Sequence, residues 1–307
     1  MTKVFIDGSS GTTGLRIHER LAGRKDIELI ILPDEIRKDN NAIKEALNRA
    51  DIAFLCLPDD AAREAVTLLD SPDTVIIDTS TAHRTLDSWA YGFSELKGLK
   101  EKILGSKRIA NPGCHASGFI SLVAPLVDGG LINKNEQLSC FSLTGYSGGG
   151  KKMIADYENP ERDKLLDAPR MYGTAQVHKH LPEMTKITGL ETLPVFCPIV
   201  GDFYSGMEVV VSLFADQVKG NIQTIRECYR DYYKSGLVHF ADAALEAGFM
   251  SAGKFSGRDD MEISVQGNDD RILLVSRFDN LGKGASGAAI QNMNLVMGID
   301  EKTGLNA

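Results

Sequence analysis

The sequence lacks the features that mark secreted, membrane-spanning and nucleic-acid-binding proteins. Its five cysteines stand at irregular spacing, which fits neither a disulfide framework nor a paired CxxC metal site. Its longest apolar runs, such as 119–127, are far shorter than the roughly 20 residues that a membrane span needs. The formal charge of -8 leaves no basic face for nucleic acid. We therefore expect a soluble protein with reduced thiols and no nucleic-acid or membrane partner.

A secretory signal is also missing, because the first eight residues run straight into a strand-like segment. We therefore expect a cytoplasmic location. The chain shows no internal repeat, low-complexity segment or proline-rich linker. Its 307 residues are 43% hydrophobic, an ordinary globular composition that is sufficient for two domains.

The first third of the chain alternates short β-rich runs with helical stretches. The β-rich runs cover residues 3–7, 27–32, 52–57 and 74–78. This alternation is typical of a Rossmann-type, doubly wound parallel sheet, in which ligands bind at the carboxyl ends of the strands. The sequence predicts such an α/β domain over 1–115, completed by 286–307, where a last apolar helix packs back onto it.

After residue 115 the pattern changes to an apolar helix followed by longer strand-like runs. The runs cover residues 136–144, 192–200, 207–215, 262–265 and 271–278. They predict one larger mixed or antiparallel sheet. We expect an α+β domain over 116–285 that carries catalysis and oligomerisation.

The first loop, at 8–14, reads Gly-Ser-Ser-Gly-Thr-Thr-Gly between the first strand and the first helix. Glycines three apart let the backbone approach a pyrophosphate, and the helix N-terminus offers unpaired N–H groups. The spacing departs from GxGxxG, and a tight turn would also explain it, but its position favours dinucleotide binding. The candidate cofactor ligands are Gly8, Ser10, Gly11, Thr12, Thr13 and Gly14.

The end of the second strand carries residues that could choose between NAD and NADP. Asp34 and Glu35 could bond the ribose of NAD, whereas Arg37 and Lys38 could hold the 2′-phosphate of NADP. Any of these could equally be a solvated loop charge. The pattern favours NADP.

Cys114 follows a Pro-Gly turn and starts an apolar helix. A helix N-terminus stabilises negative charge, so it lowers the pKa of a thiol and makes a thiolate nucleophile available near neutral pH. Taken alone, this residue stays open between a nucleophile and a structural thiol. Small core residues are the expectation for Cys56, Cys140, Cys197 and Cys228.

A thiol-based reductase also needs a group that moves protons, for which histidine is the usual choice. His178 and His180 stand together before a Pro-Glu pair, and one of them could meet Cys114 across a domain interface. A structural role is the alternative. Zinc binding is disfavoured because no third ligand occurs at metal spacing.

A phosphorylated substrate would need fixed cations near the thiol. Arg84 follows a strand end, and Lys151 or Lys152 follows the glycine-rich loop 144–150. The three successive glycines of that loop suggest a close backbone approach to a ligand. Either lysine could instead be an ordinary surface cation.

Together these stretches resemble the N-acetyl-γ-glutamyl-phosphate reductase family. The matching segments are Gly11-Thr-Thr-Gly14, Asn111-Pro-Gly-Cys114, His178-Lys-His180-Leu-Pro-Glu183 and residues 279–294. They span nearly the whole chain in the expected order. The chain length, the Gly-Thr-Thr-Gly form and His115, where the longer subtype usually has Tyr, are similar to the shorter subtype. Gly113 argues against the related aspartate-semialdehyde dehydrogenases, which typically have Asn before the cysteine.

The resemblance implies NADPH-dependent reduction of N-acetyl-L-glutamyl 5-phosphate to the 5-semialdehyde in arginine biosynthesis, through a Cys114 thioester. It implies His178, in preference to His180, as the acid/base. It also implies a homo-oligomer, either a dimer or a tetramer.

Further site residues follow from the same resemblance. NADPH is expected in the first domain, with Ser80 and Asn292 beside it. The substrate-binding candidates are Arg84, Ser147, Lys151 and His180.

Two alternatives stay open. One is the same chemistry on aspartyl phosphate or on an aminoadipyl phosphate held by a carrier protein. The other is a catalytically silent NADP-binding sensor that kept the fold. The presence of Cys114 and His178 argues against the sensor.

Overall fold

The computed structural model describes all 307 residues and divides into two compact units. The first unit contains 1–113 and 285–305, and the second contains 114–284 with the last two residues. The boundary drawn from the sequence at residue 115 left Cys114 in the first domain. In the structure Cys114 is the first residue of the main helix of the second unit, so the predicted boundary would have cut this helix after its second residue.

The first unit is built on a parallel sheet of six strands. The strands are β1 (Thr2–Asp7), β2 (Ile27–Ile30), β3 (Ile52–Leu55), β4 (Val75–Asp78), β5 (Ala90–Tyr91) and β6 (Arg108–Ala110). Their order across the sheet is β2-β1-β3-β4-β6-β5, with every pairing parallel. The order reverses between β1 and β3, which is the point where such sheets bind ligands. The predicted doubly wound α/β sheet is confirmed.

Five helices belong to this unit: α1 (Thr12–Leu21), α2 (Asn40–Arg49), α3 (Asp59–Thr67), α4 (Leu99–Leu104) and α9 (Gly287–Val296). Side chains alternate along a strand, so adjacent residues of β1 enter two different cores. Ile6 packs with Ile17 and Met293, whereas Phe5 packs with Leu47. The predicted terminal helix is therefore present as α9 and contributes to the first of these cores.

The second unit is built on a mixed sheet of seven strands. The strands are β7 (Ser139–Gly145), β8 (Arg170–Met171), β9 (Val195–Gly201), β10 (Met207–Phe214), β11 (Val238–Phe240), β12 (Met261–Gly267) and β13 (Arg271–Phe278). Their order is β11-β12-β13-β10-β7-β9-β8, antiparallel at the centre and parallel at β7–β9 and β11–β12. This architecture confirms the predicted mixed sheet.

Four helices complete the second unit: α5 (Cys114–Asp128), α6 (Gly150–Glu158), α7 (Leu181–Thr188) and α8 (Ile222–Tyr232). The buried helix α5 packs on β10 and β13 and also contacts α7 and α8. None of the helices combines the length and the apolar character needed to cross a bilayer.

Proline inside α5 makes this helix depend on the chain beyond it. Pro125 has no N–H, so the carbonyl of Ser121 loses its donor within the helix. The hydroxyl of Tyr233 donates to that carbonyl at 2.7 Å, and the hydroxyl of Tyr229 donates to the next one, on Leu122, at 2.5 Å. Side chains from α8 and its end thus supply hydrogen bonds to the middle of α5.

Candidate active site

Cys114 is the first residue of α5 and is half-buried. The chain returns to it at a π-helical turn, Gly282–Ser286, where a Cβ atom on Gly284 would lie 3.0 Å from the Cβ of Cys114. Glycine suits this close approach, because a side chain here would require its neighbours to move by a few tenths of an ångström. The thiol therefore stands at a helix N-terminus, where backbone N–H groups favour the thiolate.

The other four cysteines have surroundings that suit neutral thiols or packing. Burial raises the pKa of Cys56 to about 12 and raises those of Cys140 and Cys228 as well. Cys140 is fully buried, as expected of a core residue, whereas Cys56, Cys197 and Cys228 are only partly buried. Cys140 is therefore a core residue as predicted, and Cys56 packs against the core of the first unit.

His178 and His180 lie immediately before α7, with their rings 4.8 Å apart. The backbone N–H of His180 donates to Nδ1 of His178 at 3.2 Å, so a neutral His178 carries its proton on Nε2. Burial, with a smaller contribution from Lys179, lowers the pKa of His178, while Glu183 opposes the shift. The imidazole is thus neutral near pH 7 and has an N–H donor at Nε2.

Both histidines belong to the same unit as Cys114, and the expectation that they meet it across a domain interface is wrong. The reason is that the segment from β8 to α7 packs within the second unit beside α5. The ring of His115, the residue next to Cys114, lies 5.9 Å from His178 and 5.7 Å from His180.

A buried hydrogen-bonded group that sequence reasoning missed adjoins these histidines. Nδ1 of His115 lies 2.6 Å from Oγ of Ser142, and Nε2 lies 2.6 Å from the hydroxyl of Tyr172. Burial lowers the pKa of His115 to about 3, with a contribution from His178, so this imidazole is neutral. Adjacency to Cys114 was the one sequence signal that could have singled out His115; Ser142, inside a strand, carried none.

The glycine loop of the first unit fits a dinucleotide. Gly8 has φ of +79°, and a Cβ there would lie 2.3 Å from the carbonyl oxygen of Cys56. Gly14 packs as closely, since its Cβ would lie 2.4 Å from the carbonyl oxygen of Gly8. No side chain caps the N-terminus of α1, at Thr12 and Thr13, so its N–H groups face outward for a phosphate.

A cavity of about 500 Å³ adjoins this loop within the first unit. Its lining includes Gly8 and Ser10 from the loop, and Arg37 and Lys38 from the segment after β2. Two cations in the lining of a cavity beside a glycine loop suit the extra phosphate of NADP.

Ser80 and Arg84 are both buried in the loop after β4. The Ser80 hydroxyl donates to the carboxylate of Asp78 at 2.7 Å, and His83 lies 2.6 Å from the same carboxylate. The Arg84 guanidinium donates to the carbonyls of Asn111 at 2.9 Å and Thr79 at 2.8 Å. The structure thus uses Arg84 to brace backbone within the first unit.

Asn292, on α9, is buried and donates through Nδ2 to the carbonyl of Gly92 at 2.9 Å and to Oδ1 of Asn111 at 3.2 Å. Its own Oδ1 is buried and accepts no hydrogen bond. A buried acceptor without a donor is costly. A ligand with an amide N–H would satisfy it.

Ser147 and Lys151 lie in the second unit, after β7. The Ser147 hydroxyl is buried and accepts from Nδ2 of Asn280 at 3.0 Å, whereas Lys151 is exposed on α6. Close contacts of the glycine-rich loop are made with the protein itself, since a Cβ on Gly149 would lie 2.5 Å from the sulfur of Met153.

Comparison with known proteins gives two family matches and many relatives. Residues 32–104 match the semialdehyde dehydrogenase NAD-binding domain, and residues 114–280 match the semialdehyde dehydrogenase dimerisation domain. The chain is 44% identical over 306 residues to N-acetyl-gamma-glutamyl-phosphate reductase of Brucella anthropi, covering 96% of this chain and 98% of that protein. It is 41% identical over 318 residues to N-acetyl-gamma-glutamyl-phosphate reductase 2 of a Nostoc species, covering 99% of each.

Solved structures show the same fold at low identity. Aspartate semialdehyde dehydrogenase II of Vibrio cholerae superposes with a TM-score of 0.71 at 14% identity, covering 97% of this chain and 98% of that one. The aspartate semialdehyde dehydrogenase of Francisella tularensis gives 0.71 at 16% identity, with coverage of 97% and 100%. These likenesses establish the shared architecture.

Asp7, at the carboxyl end of β1, provides a pH-dependent prediction. Burial raises the pKa of this carboxyl to about 6, against a smaller opposing effect of the Gly8 N–H. The charged form above pH 6 therefore costs stability, by up to about 3 kcal/mol, and the cost disappears below the unfolded pKa near 4. We expect Asp7→Asn to be more stable than wild type at pH 8, with the difference fading as the pH falls from 6 to 4.

Urea denaturation at pH 4, 6 and 8 measures this difference. Asp73→Asn, at an exposed position before β4, is the matched control and should change the unfolding free energy by less than about 0.5 kcal/mol at every pH. An Asp7→Asn difference independent of pH would contradict the expectation.

Proposed function

Because the chain belongs to the N-acetyl-γ-glutamyl-phosphate reductases of the semialdehyde dehydrogenase family, we propose that it reduces N-acetyl-L-glutamyl 5-phosphate with NADPH. The products are N-acetyl-L-glutamate 5-semialdehyde and phosphate, within arginine biosynthesis. One observation carries the proposal: Cys114 opens a buried helix beside the cluster of His115, His178, His180 and Tyr172.

Cys114 is the proposed nucleophile. Its thiolate, stabilised by the N-terminus of α5, attacks the acyl carbon of the substrate. A C–S bond forms, the C–O bond to the phosphate breaks, and inorganic phosphate leaves with the bonding electrons. The resulting thioester is a far better hydride acceptor than a carboxylate.

NADPH, when bound, supplies the hydride that reduces the thioester carbonyl. His178 is the proposed acid/base: it shares its Nε2 proton with the tetrahedral oxygen and recovers that proton when the hemithioacetal collapses. When the hemithioacetal collapses, the C–S bond breaks, the aldehyde is released and Cys114 returns as a thiolate. A backbone N–H at the start of α5 is the proposed oxyanion donor.

The residues that would hold NADPH lie in the first unit. The loop from Gly8 to Gly14 would cradle the pyrophosphate, while Arg37 and Lys38 would hold the 2′-phosphate. The buried Oδ1 of Asn292, which accepts no hydrogen bond, suits the carboxamide N–H of a nicotinamide. We place Ser80 on the same cofactor-binding side of this unit.

For the substrate, we propose His180, Ser147 and Lys151 as ligands. Lys151 is an exposed cation and suits the phosphate. Arg84 was a candidate for the same task. Its guanidinium donates to two backbone carbonyls, which supports a structural contribution to the first unit over phosphate binding.

The enzyme is proposed to be a cytoplasmic homo-oligomer. None of the five cysteines forms a disulfide, which suits a reducing compartment. Helix α5 covers one face of the seven-stranded sheet. On its other face large apolar side chains are exposed: Phe141, Val195, Phe214 and Leu273. Such a patch suits burial against a second copy, in a dimer or a tetramer.

Turnover should depend on Cys114. We expect phosphate-dependent oxidation of N-acetylglutamate semialdehyde, followed as NADPH absorbance, to fall at least about 1,000-fold in Cys114→Ser because no thioester forms. Cys197→Ser, a half-buried cysteine of the same unit, is the control and should retain activity. Turnover of aspartate semialdehyde in place of the acetylated substrate would indicate that aspartyl phosphate is the substrate.

Selection of NADPH should depend on the cavity cations. Replacing Arg37 and Lys38 together with Ala removes both positive charges that line it, so we expect the KM for NADPH to rise about tenfold or more, with that for NADH unchanged. Arg49→Ala, on the exposed end of α2, is the matched loss of a surface cation and should leave both values unchanged. A parallel loss with both cofactors would contradict 2′-phosphate recognition.

Self-association should depend on the exposed sheet face. Placing a charge there, with Phe141→Glu, would oppose burial of this face against another copy, so we expect a smaller species by light scattering coupled to gel filtration. Leu165→Glu, an exposed apolar residue away from the sheet, is the control. An unchanged mass for both variants would place the interface elsewhere.

A further inference from the structure

Ser142, His115 and Tyr172 form a hydrogen-bonded row whose central residue, His115, directly follows the proposed nucleophile in the chain. Ser142 is fully buried on β7, and His115 is buried at the start of α5. The imidazole bridges the two hydroxyls, with both distances 2.6 Å. Ser142 lies on β7, His115 on α5 and Tyr172 just after β8, so only the folded second unit brings them together.

The hydrogen bonds in this row have a defined donor-to-acceptor direction. A neutral imidazole donates from one nitrogen and accepts at the other. His115 is the hydrogen-bond partner of the Ser142 hydroxyl, whose buried proton needs an acceptor. Ser142 therefore donates to Nδ1 of His115, and the proton of the imidazole lies on Nε2, from which it donates to the Tyr172 oxygen.

This direction leaves the Tyr172 hydroxyl hydrogen for another acceptor. The opposite tautomer would point that hydrogen at His115 and would leave the Ser142 proton without a partner. Burial raises the pKa of Tyr172, and the charge of Cys114 raises it further, so the phenol keeps its proton and lies within electrostatic range of the thiol. A protonated donor near a thiolate stabilises that anion.

We propose that Ser142 and His115 are positioning residues that direct the Tyr172 hydroxyl as a hydrogen-bond donor toward the anion formed at Cys114. That anion is first the thiolate and then the tetrahedral oxygen. The effect on the tetrahedral oxygen rests on the proposed function. The effect on the thiolate concerns Cys114 before it reacts and can be measured without turnover.

Other titratable groups surround the row and could also affect the thiol. The rings of His178 and His180 face His115 from the segment before α7, and Glu183 of that helix acts on His178. The test must therefore separate the row from these neighbours. A double-mutant cycle between Ser142 and Tyr172 does so, because neither substitution alters those groups.

The experiment is the pH profile of Cys114 alkylation by iodoacetamide, read by mass spectrometry of the peptide that contains Cys114. We expect Tyr172→Phe to raise the apparent pKa of the thiol by about one pH unit, which is a tenfold loss of thiolate below that pKa. Ser142→Ala should shift it in the same direction by a smaller amount, and Ser142→Thr, which keeps a hydroxyl, should restore the wild-type profile.

The double variant decides the matter. If Ser142 acts only through Tyr172, the double variant should match Tyr172→Phe alone. Additive shifts, or a profile that Ser142→Ala leaves unchanged, would overturn the positioning role, and no shift in Tyr172→Phe would overturn the donor role. Melting temperatures report folding, and Ser142→Cys, a weaker donor of similar size, replaces Ser142→Ala if that variant unfolds.

Turnover is measured separately on the same proteins. A wild type that does not oxidise N-acetylglutamate semialdehyde would contradict the proposed function while leaving the alkylation profiles interpretable. If it does, Tyr172→Phe should lower kcat more than it raises KM, because the donor acts on charge that develops during the reaction.

Discussion

The burial of α5 against the seven-stranded sheet is the constraint on which the catalytic unit depends. The helix is buried from His115 to Leu126, so it occupies the centre of the unit, with its first residue left at the edge. Cys114 gains from that arrangement because the unpaired N–H groups of a helix start are concentrated there. The same packing brings His115 against Ser142 of the sheet.

Around the thiol, the unit gathers polar groups that are kept uncharged. The pKa of His115 is lowered to about 3, the pKa of His178 is also lowered, and that of Tyr172 is raised, in each case chiefly by burial. Neutral hydrogen-bond donors can stabilise a nearby anion without adding a further charge to the buried site.

The sequence predicted the architecture where its periodicity was long, and missed elements where it was short. Alternating strands and helices identified the parallel sheet, and the terminal apolar run identified α9. Strands of two or three residues, such as β5 and β8, carry too little pattern to be recognised. For the site, a helix start and a histidine pair could be read locally. The bonds of His115 could not, because its partners lie 27 and 57 residues away.

Pro125 gives α5 an acceptor that the helix cannot satisfy by itself. A helix that closed all its own bonds could form early, before its surroundings are in place. Here the carbonyl of Ser121 stays without a protein donor until Tyr233, more than a hundred residues later, has folded against it. Completion of the nucleophile's helix is thereby tied to completion of the unit. A nascent or partly unfolded chain lacks the complete helix start that stabilises the thiolate, so Cys114 gains its raised reactivity only once the unit has folded.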